Sequence, residues 1–365
     1  MKSEFFLAKT EYYAPFPIFK FNADLTVGDI NLATQVLLRS ISYKDFETSV
    51  RQASKQSASN ENSPTTNQVT LSAETDAMVE MAEIHLDCKE LGAIELKLTI
   101  LSLPIFGSVI RLDRTVYAEI TKIEHEDIYR CRLQAALQHQ LVWETYAISY
   151  DLVLNELDFY CEVINRHRRA LSVRGINRVI DIGAGTGNVT IPLVKKRLSV
   201  TAVDISRAML DRMRSKLANL SSETLAILQQ DAKDLSALAD SSFDGVNILL
   251  ALFDMCYPVA ALNEAIRVLR RGGILIITEP KRTFNLSALL SSAETCLRDK
   301  GMYEKLISHW KRVSKVNKKI DPSKRSTPLF IEDIQDRLDK SGFNITQMED
   351  SHHGNCATLW ATKTG

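Results

Sequence analysis

The sequence predicts an α/β chain: a doubly wound, mostly parallel sheet of seven strands, preceded by a smaller β-rich, barrel-like domain. Two observations carry that expectation. From Gln138 onward, short apolar runs alternate with amphipathic stretches at helical spacing, which is how a parallel sheet with crossover helices reads. Before Gln138, short segments alternate apolar and polar residues with period two, as half-buried antiparallel strands do. A third feature fixes the centre of the larger domain. In Val179-Ile-Asp-Ile-Gly-Ala-Gly-Thr-Gly-Asn188 an apolar strand runs into a loop of three glycines, Gly183, Gly185 and Gly187, and then into an amphipathic helix.

At 365 residues, with 45% hydrophobic and 25% charged residues, the chain has the make-up of a soluble globular protein large enough for two domains. Its formal net charge of zero argues against a dedicated nucleic-acid binder, because phosphate contacts show as basic excess. The six cysteines form no C-x-x-C pair, which suits reduced thiols in a cytosol and gives no metal motif. Charge breaks the amino-terminal stretch too early for a signal peptide, and no apolar run approaches the roughly 20 residues of a membrane span. A cytoplasmic protein is expected.

The first domain is expected over residues 1–137. A short helix is read from Asn31 to Arg39. Residues 52–76 are low in complexity, nearly devoid of large apolar groups and unable to offset chain entropy by burial, so they read as a flexible insertion. Strands are expected at Ile84–Cys88, Ala93–Leu101, Val109–Leu112, Thr115–Thr121 and Tyr129–Leu133, with turns at Glu90–Gly92 and Phe106–Ser108. The order Asp87-Cys-Lys-Glu-Leu-Gly-Ala93, then Leu103–Ile110, then Val116–Ile120, resembles the PilZ barrel. That family binds a cyclic dinucleotide through R-x-x-x-R and D-x-S-x-x-G. Here Lys89 replaces the serine, and the nearest upstream stretch, Arg51-Gln-Ala-Ser-Lys55, ends in lysine. A structural or dimerising β-domain is the favoured reading.

The second domain is expected over residues 138–365. A long helical region from Gln138 to Leu171 leads into the strand before the glycines. Strands follow at Val200–Asp204, Leu225–Asp231, Phe243–Leu250 and Ile274–Glu279, with helices between them. Residues 281–325 interrupt the alternation with helical material in which ten Lys or Arg between Arg298 and Arg325 face only three acids, Asp299, Glu304 and Asp321. A helix from Ile331 to Ser341 and strands Phe343–Met348 and Ala357–Thr364 complete the reading.

The glycine loop admits more than one ligand class. A dinucleotide loop is usually G-x-G-x-x-G, and the sixth position here is Asn188. No lysine follows in the way a P-loop requires. What stands instead is D-x-G-x-G-x-G, with Asp204 at the end of the next strand and Asp231 at the end of the one after. An NAD-dependent oxidoreductase would use Asp204 equally well, and Asp204-Ile-Ser206 also suits a helix cap.

With its strand-end acids in order, this part of the chain, from Tyr146 to the carboxyl end, resembles the class I S-adenosylmethionine-dependent methyltransferases, especially the small-molecule branch. The resemblance implies a Rossmann-like fold and S-adenosyl-L-methionine as cofactor. It implies that the loop Asp181, Gly183, Gly185 and Gly187 wraps the methionine part, that Asp204 and Ile205 meet the ribose, that Asp231 and Ala232 meet the adenine, and that Leu249 lies beside the sulfonium. Acceptor-only carboxylates suit a ligand carrying ribose hydroxyls, an ammonium and a sulfonium.

Methyl transfer is an in-line displacement, so positioning carries much of the catalysis, and a base helps where the acceptor is a hydroxyl or ammonium. Glu279, Tyr150 and His352 are the candidates, with His353 and His309 behind them. Tyr146 and Tyr150 share a helical face, and Tyr150-Asp151 resembles a segment that covers the cofactor in this branch. The motifs of adenine-amino and cytosine-ring enzymes are missing after the fourth strand, where Leu249-Leu-Ala-Leu-Phe-Asp254 stands, so DNA is not the expected substrate. The expectation is a methyltransferase acting on an O, N or C nucleophile of a small molecule, with an anionic one suggested by the basic insertion at 281–325 acting as a lid. The partners expected are that substrate and a second copy of the chain, joined through the first domain. The alternatives are a non-catalytic S-adenosylmethionine-binding regulatory protein and the NAD-dependent enzyme. No metal is expected.

Overall fold

Alternation shapes the first part of the chain. The structure, a computed structural model, describes residues 17–21, 27–38, 48–49, 52, 78–88, 91–105, 111–217, 224–325 and 328–364. Within it β1 (Ile18–Phe21), β2 (Val27–Ile30), β3 (Met78–Cys88), β4 (Gly92–Ile105) and β5 (Arg111–Ile123) form one antiparallel sheet in the order β2-β1-β5-β4-β3. Ile84 and Leu86 of β3 are buried while Glu83 and His85, alternating with them, are exposed; Ile94, Leu96 and Leu98 of β4 are buried on the same period. This face packs with Val36 and Leu37 of α1 (Leu32–Leu38) into one core. Among the described residues no pairing joins β2 to β3.

Asn31 fixes the start of α1. Its buried Oδ1 accepts from the backbone N–H of Thr34 at 3.0 Å and of Ile18 at 3.0 Å, and from Thr34 Oγ1 at 2.9 Å, so one side chain caps the helix and ties it to β1. At the β3–β4 turn Gly92 adopts φ +68°, and a Cβ there would lie 2.2 Å from the Glu124 carboxylate. Glu124 also accepts from the N–H of Ala93 at 3.1 Å. A carboxylate at this turn repels an anionic dinucleotide. The Arg51–Lys55 stretch, Gln52 apart, and the turn at Phe106–Ser108 lie outside the described residues, as does all of 52–76 except Gln52.

Two expectations change here. Tyr129–Leu133 is not a strand but part of α2 (Glu126–Ala147). Five residues of apolar-polar alternation are too few to outweigh the longer helical series Tyr129, Leu133, Ala136 and Leu137, all packed in the same core, behind two acids in the first turn. The helical region to Leu171 is also three helices rather than one: α2, then α3 (Tyr150–Leu154) and α4 (Asp158–Leu171). The chain divides into two compact units at His139 and Gln140, inside α2.

The second unit holds the seven-stranded sheet: β6 (Arg178–Ile182), β7 (Ser199–Asp204), β8 (Leu225–Gln229), β9 (Phe243–Leu249), β10 (Leu269–Pro280), β11 (Phe343–Ser351) and β12 (Cys356–Lys363), in the order β11-β12-β10-β9-β6-β7-β8. β6 to β10 pair in parallel, and β12 is antiparallel to both β10 and β11. The helices are α5 (Thr190–Lys195), α6 (Arg207–Leu217), α7 (Pro258–Val268), α8 (Leu286–Asp299), α9 (Tyr303–Asn317) and α10 (Ile331–Lys340). Central strands covered on both faces need near-continuous apolar residues, and Val179, Ile180 and Ile182 are fully buried. The fold is a doubly wound, mostly parallel, Rossmann-like sheet.

Replacing Asn31 by alanine leaves the backbone N–H groups of Ile18 and Thr34 without this acceptor, while the Thr34 hydroxyl keeps the Ile18 carbonyl at 3.1 Å. A loss of about 2 kcal/mol is expected, measured as a lower midpoint in urea unfolding followed by circular dichroism.

Candidate functional site

The chain winds from β6 outward to β7 and β8, then returns to the other side of β6 for β9 and β10. That reversal opens a crevice at the carboxyl ends of β6 and β9, where doubly wound sheets bind their ligands. Asp181 of β6 and Asn247 of β9 are register partners across it. A cleft of about 300 Å³, open to solvent, lies there; its walls include Asp181, the backbone from Gly183 to Thr186, Asn188, Leu249, and the rings of Tyr150 and Tyr160.

The glycine loop is held from below. The N–H groups of Gly183 and Ala184 both donate to the carbonyl of Val203, at 2.8 and 3.0 Å. Gly183 is required by packing, since a Cβ would stand 2.3 Å from that of Ala251. Gly185 is required by access: its φ is +55°, and an added Cβ would meet no side chain within 4 Å. The loop therefore presents bare backbone to the cleft at Gly185.

Asp181 is 2% exposed. Asn247 Nδ2 donates to its Oδ1 at 2.7 Å, and Thr190 Oγ1 donates to its Oδ2. Burial raises its pKa, and the Thr190 and Asn247 hydrogen bonds work against that rise. Behind Asn247 lies His167 of α4, wholly buried, its Nδ1 2.6 Å from Asn247 Oδ1. Burial pulls the imidazole down to about 4, so it is neutral near pH 7.

The short helix α3 is clamped onto the loop by Asp151. Thr186 Oγ1 and Asn188 Nδ2 donate to its Oδ1 at 2.7 and 3.2 Å, and Lys216 Nζ reaches its Oδ2 at 3.1 Å. Lys216 also donates to Asn188 Oδ1 at 2.9 Å. This docking brings Tyr150 to the cleft. Its phenol oxygen lies 2.9 Å from that of Tyr160, to which Asn188 Nδ2 donates at 3.4 Å. Burial pushes Tyr160 up to about 12 and Tyr150 well above 10. Both phenols stay protonated near neutrality, and Tyr150 forms a wall of the cleft.

The other expected residues separate into groups. Asp181, Gly183, Gly185 and Leu249 line the cleft, and Gly187 is part of the same loop at φ +81°. Asp204, at the end of β7, touches the loop directly: its Oδ2 accepts from the N–H of Gly185 at 2.8 Å and its Oδ1 from that of Ser206 at 2.7 Å. The capping reading of Asp204–Ser206 holds, with Ser206 Oγ accepting from the N–H of Met209 at 3.3 Å. The carbonyl of Ile205 accepts from Gln140 Nε2 at 3.1 Å. Asp231 accepts from the N–H of Lys233 at 3.1 Å, and Ala232 is buried in the sheet core.

Glu279 and His352 do not meet the cleft. Glu279 ends β10, fully buried, and accepts from the backbone N–H of Ala251 and Leu252 (2.9 and 2.8 Å) and of Phe253 (3.2 Å). It anchors the segment whose Ala251 abuts Gly183. Burial pushes it up to about 7, against three donors that favour the anion. His352 is buried against Phe159 and is pulled down to about 3 by burial, with its Nδ1 3.2 Å from Ser351 Oγ. His353 flanks the same ring, and His309 Nδ1 lies 3.0 Å from Ser149 Oγ.

Sequence reasoning placed Asp151 in the segment beside the cofactor and missed Asn247, Thr190, Tyr160 and His167. Helical spacing offered a partial signal for the last two, since Tyr160, Ile164 and His167 follow one buried face of α4. A polar residue inside the apolar run of β9 was the signal for Asn247, because a buried amide needs partners.

The cleft lies at the switch point of a doubly wound sheet, where such sheets bind their ligands. Residues 180–277, which run from β6 into β10, match the model of the methyltransferase domain family. The phosphatidylethanolamine N-methyltransferase of Cereibacter sphaeroides is 36% identical over 115 residues, covering 31% of this chain and 55% of that protein. The ubiquinone/menaquinone biosynthesis C-methyltransferase of Pseudomonas fluorescens is 33% identical over 159 residues, 42% of this chain and 60% of that protein. The chain spans about half the length of the curated relatives it matches. A solved methyltransferase from Thermotoga maritima, described as a possible histamine N-methyltransferase, aligns at TM-score 0.42 and 22% identity, covering 61% of this chain and 98% of that one.

The raised pKa of Glu279 gives a signed expectation. Its neutral form is favoured in the fold, so its contribution is complete below the unfolded value near 4.5 and is lost as pH rises through about 7. The stability of the wild type relative to Glu279→Gln falls between pH 4 and pH 9 by about 3 kcal/mol, read from urea unfolding of both proteins at each pH.

Proposed function

We propose that the chain is an S-adenosylmethionine-dependent methyltransferase acting on a small molecule. The observation that carries this reading is the electrostatics of the cleft. The buried acid Asp181 lines it, the strand-end acids Asp204 and Asp231 follow along the chain, and among the described residues no Lys, Arg or His lines the cleft. Such a site suits an ammonium and a sulfonium rather than a pyrophosphate. The residues fit the cofactor in shape as well, since Gly185 leaves its backbone bare where the ligand approaches. In this reading Asp181 faces the ammonium end, Asp204 the ribose and Asp231 the adenine. Leu249 and Tyr150 flank the sulfur.

When bound, the cofactor supplies a methyl group on a cationic sulfur. Held by Asp181, the glycine loop, Asp204 and Asp231, the cofactor would supply that methyl group to a lone pair of the acceptor. The chain's part is to hold the donor rigidly and keep the direction of attack open. Neither phenol on the cleft walls serves as a base, so the acceptor brings its own nucleophilicity, as a free amine, an ionised hydroxyl or an electron-rich carbon does. Named relatives transfer to a phosphatidylethanolamine nitrogen and in quinone biosynthesis to carbon, and both acceptor types fit this requirement. The insertion at 281–325 would close over the acceptor. Arg312 of α9 donates to Ser149 Oγ at 2.8 Å, next to Tyr150, and Lys311, Lys315, Lys318 and Lys319 give its outer face a positive charge that favours an anionic acceptor.

Calorimetric titration of the full chain with S-adenosylmethionine and with NAD tests the cofactor. Binding of the first and not the second is expected, and the reverse sinks the reading. Gly185→Ala puts a methyl group into the cleft and should weaken S-adenosylmethionine binding by about tenfold or more. Binding without transfer to any of a panel of amines, phenols and quinols would instead make the protein a cofactor-binding regulator.

A further inference from the structure

The acid of the glycine loop is the inner end of a buried chain of hydrogen bonds that crosses the sheet. Asp181 Oδ1 accepts from Asn247 Nδ2, and Asn247 Oδ1 lies 2.6 Å from His167 Nδ1. His167 Nε2 lies 2.7 Å from Thr278 Oγ1, which lies 2.7 Å from Thr358 Oγ1. All five residues are 2% exposed or less. They come from β6, β9, α4, β10 and β12, so the arrangement is not a by-product of any one element.

The direction of every bond follows from chemistry. An ionised Asp181 only accepts, so Asn247 must turn its NH₂ toward it and its carbonyl toward His167. The carbonyl only accepts, so His167 carries its proton on Nδ1. A neutral imidazole then has a bare Nε2, which accepts from the hydroxyl of Thr278, and the oxygen of Thr278 accepts in turn from Thr358. Every donor in the chain points toward the carboxylate, and hydrogen bonds aligned in this way polarise one another.

We propose that His167 is a positioning residue for the cofactor's ammonium end: through Asn247 it orients Asp181 and holds it as an anion facing that charge. The proposal rests on the cofactor reading given above. Around His167 the groups presented by β9, β10 and β12 are the neutral Asn247, Thr278 and Thr358. The charged ones are Asp181 on β6 and, on its own helix, Arg166, whose guanidinium pairs with Glu162 and Glu349.

The test compares two ligands on the full chain by calorimetry. S-adenosylhomocysteine carries the ammonium; 5′-methylthioadenosine keeps the adenosine and sulfur but lacks the amino-acid part. In His167→Leu, affinity for S-adenosylhomocysteine is expected to fall by about tenfold, and further as pH drops from 8 to 6, while 5′-methylthioadenosine binds as in the wild type. His167→Asn, which keeps an N–H near the Nδ1 position, restores much of the loss. Equal losses for both ligands, or no loss, overturn the proposal while leaving the cofactor reading standing. A wild type that binds neither ligand overturns both. Nitrogen-15 NMR of wild-type His167 gives a reading independent of any variant: a neutral ring protonated on Nδ1 from pH 8 to pH 5 is expected, and a proton on Nε2 or a charged ring refutes the chain's direction.

Discussion

A carboxylate buried where the sheet changes direction is the constraint on which the second unit is built. Asp181 is nearly inaccessible, and an unpaired charge in that place would cost several kcal/mol. The fold meets the cost by surrounding it. Asn247, directly across the strand pair, supplies one donor, and Thr190, at the start of the helix after the glycines, supplies another. The loop between Asp181 and Thr190 is therefore pinned at both ends, and its glycines have only one backbone path to follow.

The same economy extends outward. Glu279 spends its carboxylate on three backbone N–H groups of the segment after β9, which places Ala251 against Gly183. Asp151 spends its own on Thr186, Asn188 and Lys216, which fastens α3 beside the cleft. Two acids on opposite flanks thus fix the walls of the cleft while Asp181 fixes its floor. The chemistry asked of such a site is positioning, and nearly all its polar side chains are already committed to holding one another.

Much of this was legible in the sequence. The succession of strands and helices in the sheet's parallel part, the glycine loop and the strand-end acids Asp204 and Asp231 announce themselves because buried strands and close backbone approach each demand a particular residue type at a particular spacing. Catalytic candidates were less legible. Glu279 looked like a cleft acid because it ends a strand, but its direction depends on where the segment after β9 passes, which is a tertiary fact. His352 looked available because it follows a strand, yet its turn folds the ring under Phe159. Tyr129–Leu133 showed how a short alternating run reads as a strand until the helix around it is seen. His167 stood unnoticed beside arginines, since nothing local distinguishes a buried histidine from a surface one.

The C-terminal hairpin has a meaning beyond symmetry. β12 lies between β11 and β10, pairing with β10 from Ile274 to Pro280, and it carries Thr358 to the side of Thr278. Until that hairpin docks, β10 is an open edge strand, able to pair with another chain. The strand that removes this hazard also completes the buried hydrogen-bond chain behind the glycine loop. One hairpin therefore both covers the sheet edge and backs the floor of the cleft.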